Sequence, residues 1–274
     1  MSFAALVDPL FRLPFFTGLT FALVLPILGM YLRLREEWLA ALAFAQVSAA
    51  GSLASSILGL PAQAGALTCA CAAAALKGWI ARAGNNGYAL LMIIGWACAI
   101  LLLSNVPIAE HLGHALFDGQ LYFTGVGHLS VALLFLAVSA ALLPWLSRRL
   151  LLERMFPDFF RASGLPALRY HLIFDVLIAA GLALATSSVG VMAAFGLVFV
   201  PSMIAYRVAQ SWKAAQVIAA ATSLGAYLLA FAAALVLDQP FGPVLVITLA
   251  AVAAVGWLVL IALQRGAPSI DALS

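Results

Sequence analysis

Two histidines and an aspartate stand at the spacing of metal ligands in one polar stretch of the chain. His111, His114 and Asp118 follow one another at i, i+3 and i+7. If the stretch is helical, the three side chains share one face, and imidazole with carboxylate there could hold a divalent ion. Solvated histidines on an outer amphipathic segment would give the same pattern. The three residues are therefore candidate metal ligands, with a ligand-free surface as the alternative.

A second pair of titratable residues, His171 and Asp175, is separated by one helical turn and shares a helix face. Asp175 is the only acid well inside an apolar stretch. A charge at the membrane centre costs about 2.5–3.5 kcal/mol on insertion scales, and less near an interface. We expect an interfacial pair held by Arg169 or by a neighbouring backbone group. A part in gating or in cation exit is the alternative.

Small hydroxylated residues form a third pattern. Ser48, Ser52, Ser55 and Gly59 fall on one stripe of a helix. Membrane helices associate through such small residues, because lipid provides no hydrophobic drive between them. Close helix packing is the first interpretation of the stripe, and a polar substrate path is the second. The candidate path residues are Gln46, Ser48, Ser52 and Ser55.

The elements that position these side chains are membrane helices, because the composition excludes a soluble fold. Of the 274 residues, 66% are hydrophobic and 8% are charged, whereas a soluble domain has about 45–50% and about 25%. Soluble enzymes, nucleic-acid-binding proteins and disordered chains are therefore excluded. The cysteines, Cys69, Cys71 and Cys98, lie in apolar runs and predict buried thiols. Asp8 and Arg12 argue against a cleavable signal peptide.

Apolar runs of the length that crosses a bilayer, about 20 residues, predict an all-α, polytopic inner-membrane helical bundle formed by one transmembrane domain, 1–274. Nine runs are present, at 13–32, 39–60, 62–80, 87–104, 122–146, 170–187, 189–206, 214–237 and 243–263. The helix breakers Pro61, Pro107, Pro166 and Pro240 fall in the gaps. The weakest boundary is 186–190, so eight spans is the alternative.

Basic residues indicate the orientation through the positive-inside rule. With the N-terminus outside and the C-terminus inside, all but one of the 13 lysines and arginines fall on the cytoplasmic side. They are Arg33, Arg35, Lys77, Arg82, Arg148, Arg149, Arg154, Arg161, Arg169, Arg207, Lys213 and Arg265. Only Arg12 falls outside.

Sequence motifs for catalysis are missing. The chain has no GxxxxGK phosphate-binding loop, no HExxH and no GxSxG, so we expect no ATP hydrolysis or protease chemistry in it and no bound cofactor. Secondary carriers usually bury several ionisable groups, and only His171 and Asp175 offer any here. An ATP-independent secondary carrier and a non-transporting membrane scaffold stay as alternative functions.

The longest cytoplasmic segment, 147–169, predicts a short helix on the membrane surface. Pro157 is placed to begin it and Gly164 to end it, with an amphipathic turn between them. A plain interfacial connector is one interpretation. A docking helix for a soluble partner is the other.

This segment resembles the short cytoplasmic helix in the membrane subunits of bacterial ABC importers for zinc and manganese. The resembling part is Pro157-Asp158-Phe159-Phe160-Arg161-Ala162-Ser163-Gly164-Leu165-Pro166-Ala167-Leu168-Arg169. Further resemblances, in the family's order, are 33–35 before a small-residue helix with Gly51, 116–119, 188–191, 201–205 and 237–243. Together they span about residues 20 to 260.

The resemblance implies a homodimeric permease of the bacterial inner membrane for a metal ion or metal complex. It implies cytoplasmic ATPase subunits, which use the ATP, and an extracytoplasmic solute-binding protein as partners. Membrane lipids surround the chain, and no nucleic acid is expected. The residues implied in coupling to the ATPase are Asp158, Phe160, Arg161, Gly164 and Leu165.

The second span departs from the pattern of the family it resembles. That family usually carries an acid in this span and a His four residues later, followed by a Gly. Here the two positions hold Leu42 and Gln46, with Gly51 retained. Leucine cannot coordinate a metal, and a neutral amide is a poor ligand for zinc or manganese. Either other groups hold a bare ion, or the cargo arrives as a chelate.

Overall fold

The computed structural model describes residues 9–76, 85–105, 113, 116, 119, 121–164 and 166–266; the side chains at 9, 123, 161 and 259–266 are outside this description. Within these ranges the chain forms ten α-helices and no strand. The helices are α1 (Arg12–Leu34), α2 (Leu39–Ile57), α3 (Ala62–Ala75), α4 (Asn85–Asn105), α5 (Val126–Met155), α6 (Pro157–Ala162), α7 (Ala167–Val189), α8 (Val191–Val208), α9 (Trp212–Leu237) and α10 (Phe241–Gly266).

In the described part of the chain, eight helices are long and apolar enough to cross a membrane. Helices suit this setting because every backbone group must be paired without water. The predicted all-α, polytopic fold is confirmed. The boundary at 186–190 is also a true break: α7 ends at Val189, α8 begins at Val191, and Gly190 between them has a φ of 92° that favours glycine. Helix α3 is also apolar, but it has 14 residues, fewer than the roughly 20 that a helix needs to cross a bilayer.

The prolines predicted to separate spans do so where the structure describes them. Pro61 is the N-cap of α3, and Pro166 is the N-cap of α7. Pro240 directly precedes α10. A proline has no N–H to donate, so it is tolerated where a helix begins.

Helices α1, α2 and α7 form the centre of the bundle. In each of these three helices, 72% of the most apolar 18-residue stretch is buried inside the chain, whereas the buried share is 22% in α4, α5 and α10. Helix α2 packs against α3, α4, α7 and α8. Most side chains that project from α2 are therefore buried against other helices of the same chain.

Two glycine contacts bring the central helices unusually close to their neighbours. A Cβ atom on Gly51 of α2 would overlap the backbone oxygen of Gly65 in α3, and one on Gly65 would overlap the oxygen of Gly51. A Cβ on Gly29 of α1 would overlap the backbone oxygen of Val198 in α8. Close backbone approach through small residues is the way helices associate in lipid.

The orientation of the bundle can be tested by cysteine labelling in a chain whose three native cysteines are replaced by serine. Gln239, Ser163 and Ser211 are all exposed in the structure. With the N-terminus outside, a membrane-impermeant maleimide added outside is expected to label Gln239→Cys. Ser163→Cys and Ser211→Cys should react only after the membrane is opened. Outside labelling of Ser163→Cys would contradict this orientation.

Candidate functional site: transport path and coupling helix

The outer candidate metal ligands, His111, His114 and Asp118, lie outside the described residues. Among the residues that the structure does describe, no group of three or more His, Cys, Asp or Glu side chains is arranged to hold a metal ion.

In the serine stripe of α2, Ser55 faces α3, since a Cβ on Gly65 of α3 would overlap its Oγ. Ser55 donates a hydrogen bond to the backbone oxygen of Ser52 at 3.0 Å, and Ser48 donates to that of Ala45 at 2.8 Å. Both hydroxyls lie inside the bundle. Gly59 does not continue the stripe, because α2 ends at Ile57 and Gly59 lies in the following turn with a φ of 73°.

Gln46 projects from a different side of α2, toward α4. A Cβ on Gly95 of α4 would lie 3.2 Å from the Cβ of Gln46 and 2.9 Å from the backbone nitrogen of Val47. The side chain of Gln46 is buried, and its Oε1 has no hydrogen-bond partner in the described part of the chain. A buried polar atom without a partner is costly in an apolar medium. Gln46 is therefore the polar group on α2 that is best placed to accept a hydrogen bond from a ligand.

Ser52 has the same property on the α3 side. Its Oγ is fully enclosed and has no hydrogen-bond partner among the described residues, although its backbone oxygen accepts from Ser55 and Ser56. The path residues named from the sequence thus divide in two. Ser48 and Ser55 have their hydrogen bonds satisfied within the helix, and Gln46 and Ser52 do not.

Leu42 faces α8 instead of sharing the surroundings of Gln46. With Ala45 and Ala49 it packs against Val191 at the start of α8. The family that this chain resembles carries an acid and a histidine at these two positions. Here Leu42 places an apolar side chain against α8. Gln46 lies against α4, and its amide oxygen has no hydrogen-bond partner among the described residues.

Asp175 forms an ion pair with Arg35 and not with Arg169, so the expectation of an Arg169 contact is wrong. Arg35 donates to both carboxylate oxygens of Asp175, at 2.9 and 3.4 Å. It also binds Glu37 at 2.6 Å. The Arg35 side chain is 8% exposed and that of Asp175 is 2% exposed. The pair is therefore buried, and it ties the loop between α1 and α2 to α7.

The charge of Arg35 is maintained by these two acids. Burial opposes the charged form, but the negative charges of Asp175 and Glu37 outweigh it and raise the pKa of Arg35 above its ordinary value. The guanidinium also lies 5.3 Å from the centre of the Phe174 ring. Arg35 is thus a permanent cation at the buried junction of α1, α2 and α7.

Other polar contacts fasten the same loop from two further helices. Asn85 of α4 donates to the backbone oxygen of Glu36 at 2.9 Å, and Arg154 of α5 pairs with the Glu36 carboxylate. His171 does not act with Asp175; its Nε2 lies 2.8 Å from Glu153 of α5. A cavity of about 360 Å³ opens between these groups. Its polar lining is Arg35, Glu37, Glu153, Arg154 and His171.

The predicted surface helix is α6, six residues long, and it closes one side of this cavity through Pro157 and Phe160. Phe160 is 2% exposed and packs edge-on against Tyr170 of α7 at 6.2 Å. Phe159 is 60% exposed. Asp158 and Gly164 are also exposed. The helix is thus anchored from below by Phe160 and presents Phe159 outward, a distinction that a six-residue amphipathic pattern does not show.

The side chains of two residues named for coupling, Arg161 and Leu165, are not part of the described structure. For Leu165 this holds for the backbone as well. Gly164 has a φ of 64° and open space around the position of a Cβ. It therefore ends the helix in a left-handed conformation that glycine adopts readily.

The architecture has known counterparts. The family model of the ABC 3 transport family matches residues 8–260. The chain belongs to the ABC 3 transport family. It is thus a multi-pass transport permease of the bacterial plasma membrane, and the resemblance seen in its motifs is confirmed at the level of the family. A search of curated proteins found no match.

Solved structures share the fold of this ABC 3 permease. One is PsaBC from Streptococcus pneumoniae in complex with a Fab, with a TM-score of 0.80 and 21% identity over 91% of each chain. Another is described as a metal-chelate type ABC transporter in an inward-facing conformation, with a TM-score of 0.71 and 16% identity over 95% of this chain and 91% of that chain. At these identities the likeness establishes the fold alone.

Sequence reasoning missed Arg35 and Phe159 as residues of this site. Arg35 was counted only as one of the cytoplasmic basic residues. The sequence did contain a signal for an ion pair, because Arg35 stands two residues before Glu37 at a helix junction. An arginine at such a position is a candidate partner for a buried aspartate. Which aspartate it reaches depends on how distant helices pack.

Proposed function

We propose that this chain is the pore-forming subunit of an ATP-driven importer for a metal ion or metal complex. It would work as a homodimer with cytoplasmic ATPase subunits and an extracytoplasmic solute-binding protein. The observation that carries the proposal is the family match over residues 8–260 of a chain with no phosphate-binding loop. Such a permease needs an energy source on another subunit.

Helix α6 supports the coupling part of the proposal. It has an exposed aromatic side chain, Phe159, above a buried anchor, Phe160. Movement of α6 would reach the bundle directly, because Phe160 contacts Tyr170 at the start of α7. Helix α7 in turn carries Asp175, the partner of Arg35. A push on α6 by an ATPase would therefore be felt at the junction of α1, α2 and α7.

The test of the function is metal uptake in cells with and without the gene for this chain. Total zinc, manganese, iron and cobalt are measured by mass spectrometry after growth in metal-limited medium. We expect one of these metals to fall in the deletion strain and to return with the wild-type gene. Unchanged content of all four metals, with the chain present in the membrane of the parent strain, would contradict metal import.

The cargo is proposed to be a chelated metal, because α2 offers little to a bare ion. A bare divalent ion must replace its water by oxygen or nitrogen ligands. Leu42 packs in an apolar cluster with Val191. Gln46 contributes only a neutral amide, whose buried oxygen has no hydrogen-bond partner within the described residues. A chelate carries its own ligands and requires only a hydrogen bond, which Gln46 can accept or donate.

Restoring the family's ligand pair tests the cargo. The variant Leu42→Asp/Gln46→His is expected to impair native uptake or to shift it toward free zinc or manganese, as measured with and without chelator in the medium. Gln239→His, in an exposed turn, is the matched control and should leave uptake unchanged. If the wild type takes up free zinc without chelator and Gln46→Ala abolishes that uptake, the cargo is a bare ion.

A further inference from the structure

An apolar groove runs between α8 and α10, at the end of α8 where the next loop begins. Its cavity measures about 360 Å³. The walls are Met203 and Ile204 of α8 and Ala253, Ala254, Gly256 and Trp257 of α10, and Arg207 is the charged residue among the described side chains that line it. A Cβ on Gly256 would have only Ile204 near it, at 4.0 Å. The groove is therefore open, and a chain of methylene groups fits its dimensions and its apolar surface.

The mouth of the groove is basic. Arg207 directly follows Tyr206 in the last turn of α8, and Arg33 of α1 reaches the same tyrosine. Arg33 is placed over the ring of Tyr206, 6.0 Å from its centre. No acidic side chain of the described chain forms a salt bridge with Arg33 or Arg207. Two neighbouring guanidinium groups with no acidic partner among the described residues favour an anion between them.

Aromatic residues place this mouth at the depth of lipid headgroups. Tyr206 is exposed beside Arg207 in the last turn of α8, and Trp257 is 62% exposed on α10. Exposed tyrosine and tryptophan side chains concentrate at the membrane–water interface. Arginine near the end of a membrane helix also reaches for that interface. The apolar part of the groove therefore lies in the acyl region and the arginines in the headgroup region.

We propose that this groove binds an anionic phospholipid, with its phosphate between Arg33 and Arg207 and one acyl chain between α8 and α10. The geometry combines an apolar channel with an uncompensated positive mouth, which matches the two parts of such a lipid. A zwitterionic lipid would gain less from the arginine pair because its own amine offsets the phosphate. The site is separate from α2 and α6, and it does not depend on the cargo.

The test measures lipid binding to the full-length chain, purified in mild detergent with the subunits it retains. Native mass spectrometry follows titration with phosphatidylglycerol or with phosphatidylcholine of the same acyl chains. We expect tighter binding of phosphatidylglycerol. Arg207→Gln and Arg33→Gln should each weaken it about fivefold, in line with the attraction of one basic residue to an anionic membrane surface. Gly256→Phe should weaken it by filling the groove without changing charge.

Two matched controls separate this site from general effects. Arg154→Gln removes a cation that Glu36 already compensates, and Gly225→Phe adds the same ring to an exposed glycine of α9 with open space around it. Both should bind phosphatidylglycerol like the wild type. Equal affinity for the two lipids, or equal losses in the control and groove variants, would overturn the proposal. A loss of dimer with unchanged lipid binding in Gly256→Phe would also overturn it and would assign the groove to a second copy of the chain.

Discussion

Replacing Arg35 with methionine is expected to lower the free energy of unfolding by about 3–5 kcal/mol, the cost of breaking a buried ion pair from one side. Arg35 balances two carboxylates at once, Asp175 at 2.9 Å and Glu37 at 2.6 Å. Asp175→Asn is expected to cost less than Arg35→Met, because Glu37 still faces the guanidinium. Unfolding can be followed by circular dichroism in mixed detergent micelles with increasing dodecyl sulfate.

A double variant and an exposed pair serve as controls for this prediction. Arg35→Met/Asp175→Leu should recover part of the loss, because it removes the buried carboxylate together with its cation. Glu37 keeps its charge in this variant, but its side chain is 23% exposed and reaches water. Arg154→Ala breaks a pair whose side chains are 51% and 76% exposed and should change the free energy of unfolding by about 0–1 kcal/mol. If Arg35→Met and Arg154→Ala lower the free energy of unfolding equally, the buried ion pair stabilises the chain no more than the exposed one does.

Replacing Gly164 with tryptophan is expected to lower uptake at least about tenfold while the chain stays at its normal level in the membrane. The residue ends α6 with a φ of 64°, which a tryptophan adopts only with strain. The position is also exposed, so the substitution should change the surface that we propose faces the ATPase more than it changes the fold. The measurements are uptake, membrane content by immunoblot and co-purification of the ATPase.

Variants at Gly164, Phe159 and Phe160 distinguish loss of ATPase docking from loss of folding. Gly164→Asn, which tolerates the left-handed conformation, should keep most of the uptake. Phe159→Ala should weaken ATPase co-purification with a stable chain, whereas Phe160→Ala should destabilise α6 because it empties a buried contact with Tyr170. Unchanged ATPase co-purification and uptake in both Gly164→Trp and Phe159→Ala would contradict docking through α6.

The helical architecture was predictable because it depends on local features. In lipid each span pairs its backbone within itself, so an apolar run and its flanking proline suffice to place a helix. Pro61 and Pro166 therefore marked helix starts correctly, and the turn at Gly190 was identified from 186–190. The length of α3 was not, because the apolar run was predicted over 62–80 whereas the described helix is Ala62–Ala75.

The roles of individual polar residues were less predictable. Helix periodicity placed His171 and Asp175 on one face, yet their partners come from different helices, Glu153 and Arg35. The same periodicity put Leu42 and Gln46 one turn apart. It did not show that one packs on α8 and the other on α4, since both neighbours are distant in sequence.

By itself, the sequence determined that this protein is a polytopic helical permease, and it predicted the short helix α6. Composition, apolar runs and short motifs are local properties, and they carry that information. Only the tertiary structure decided that Arg35 pairs with Asp175 across 140 residues, that Phe160 is the anchor of α6 and Phe159 its outer face, and that the Gln46 oxygen is buried without a partner among the described residues. The physical reason is that these properties depend on which helices pack together, and small-residue contacts such as Gly29 with the backbone of Val198 set that packing over long sequence separations.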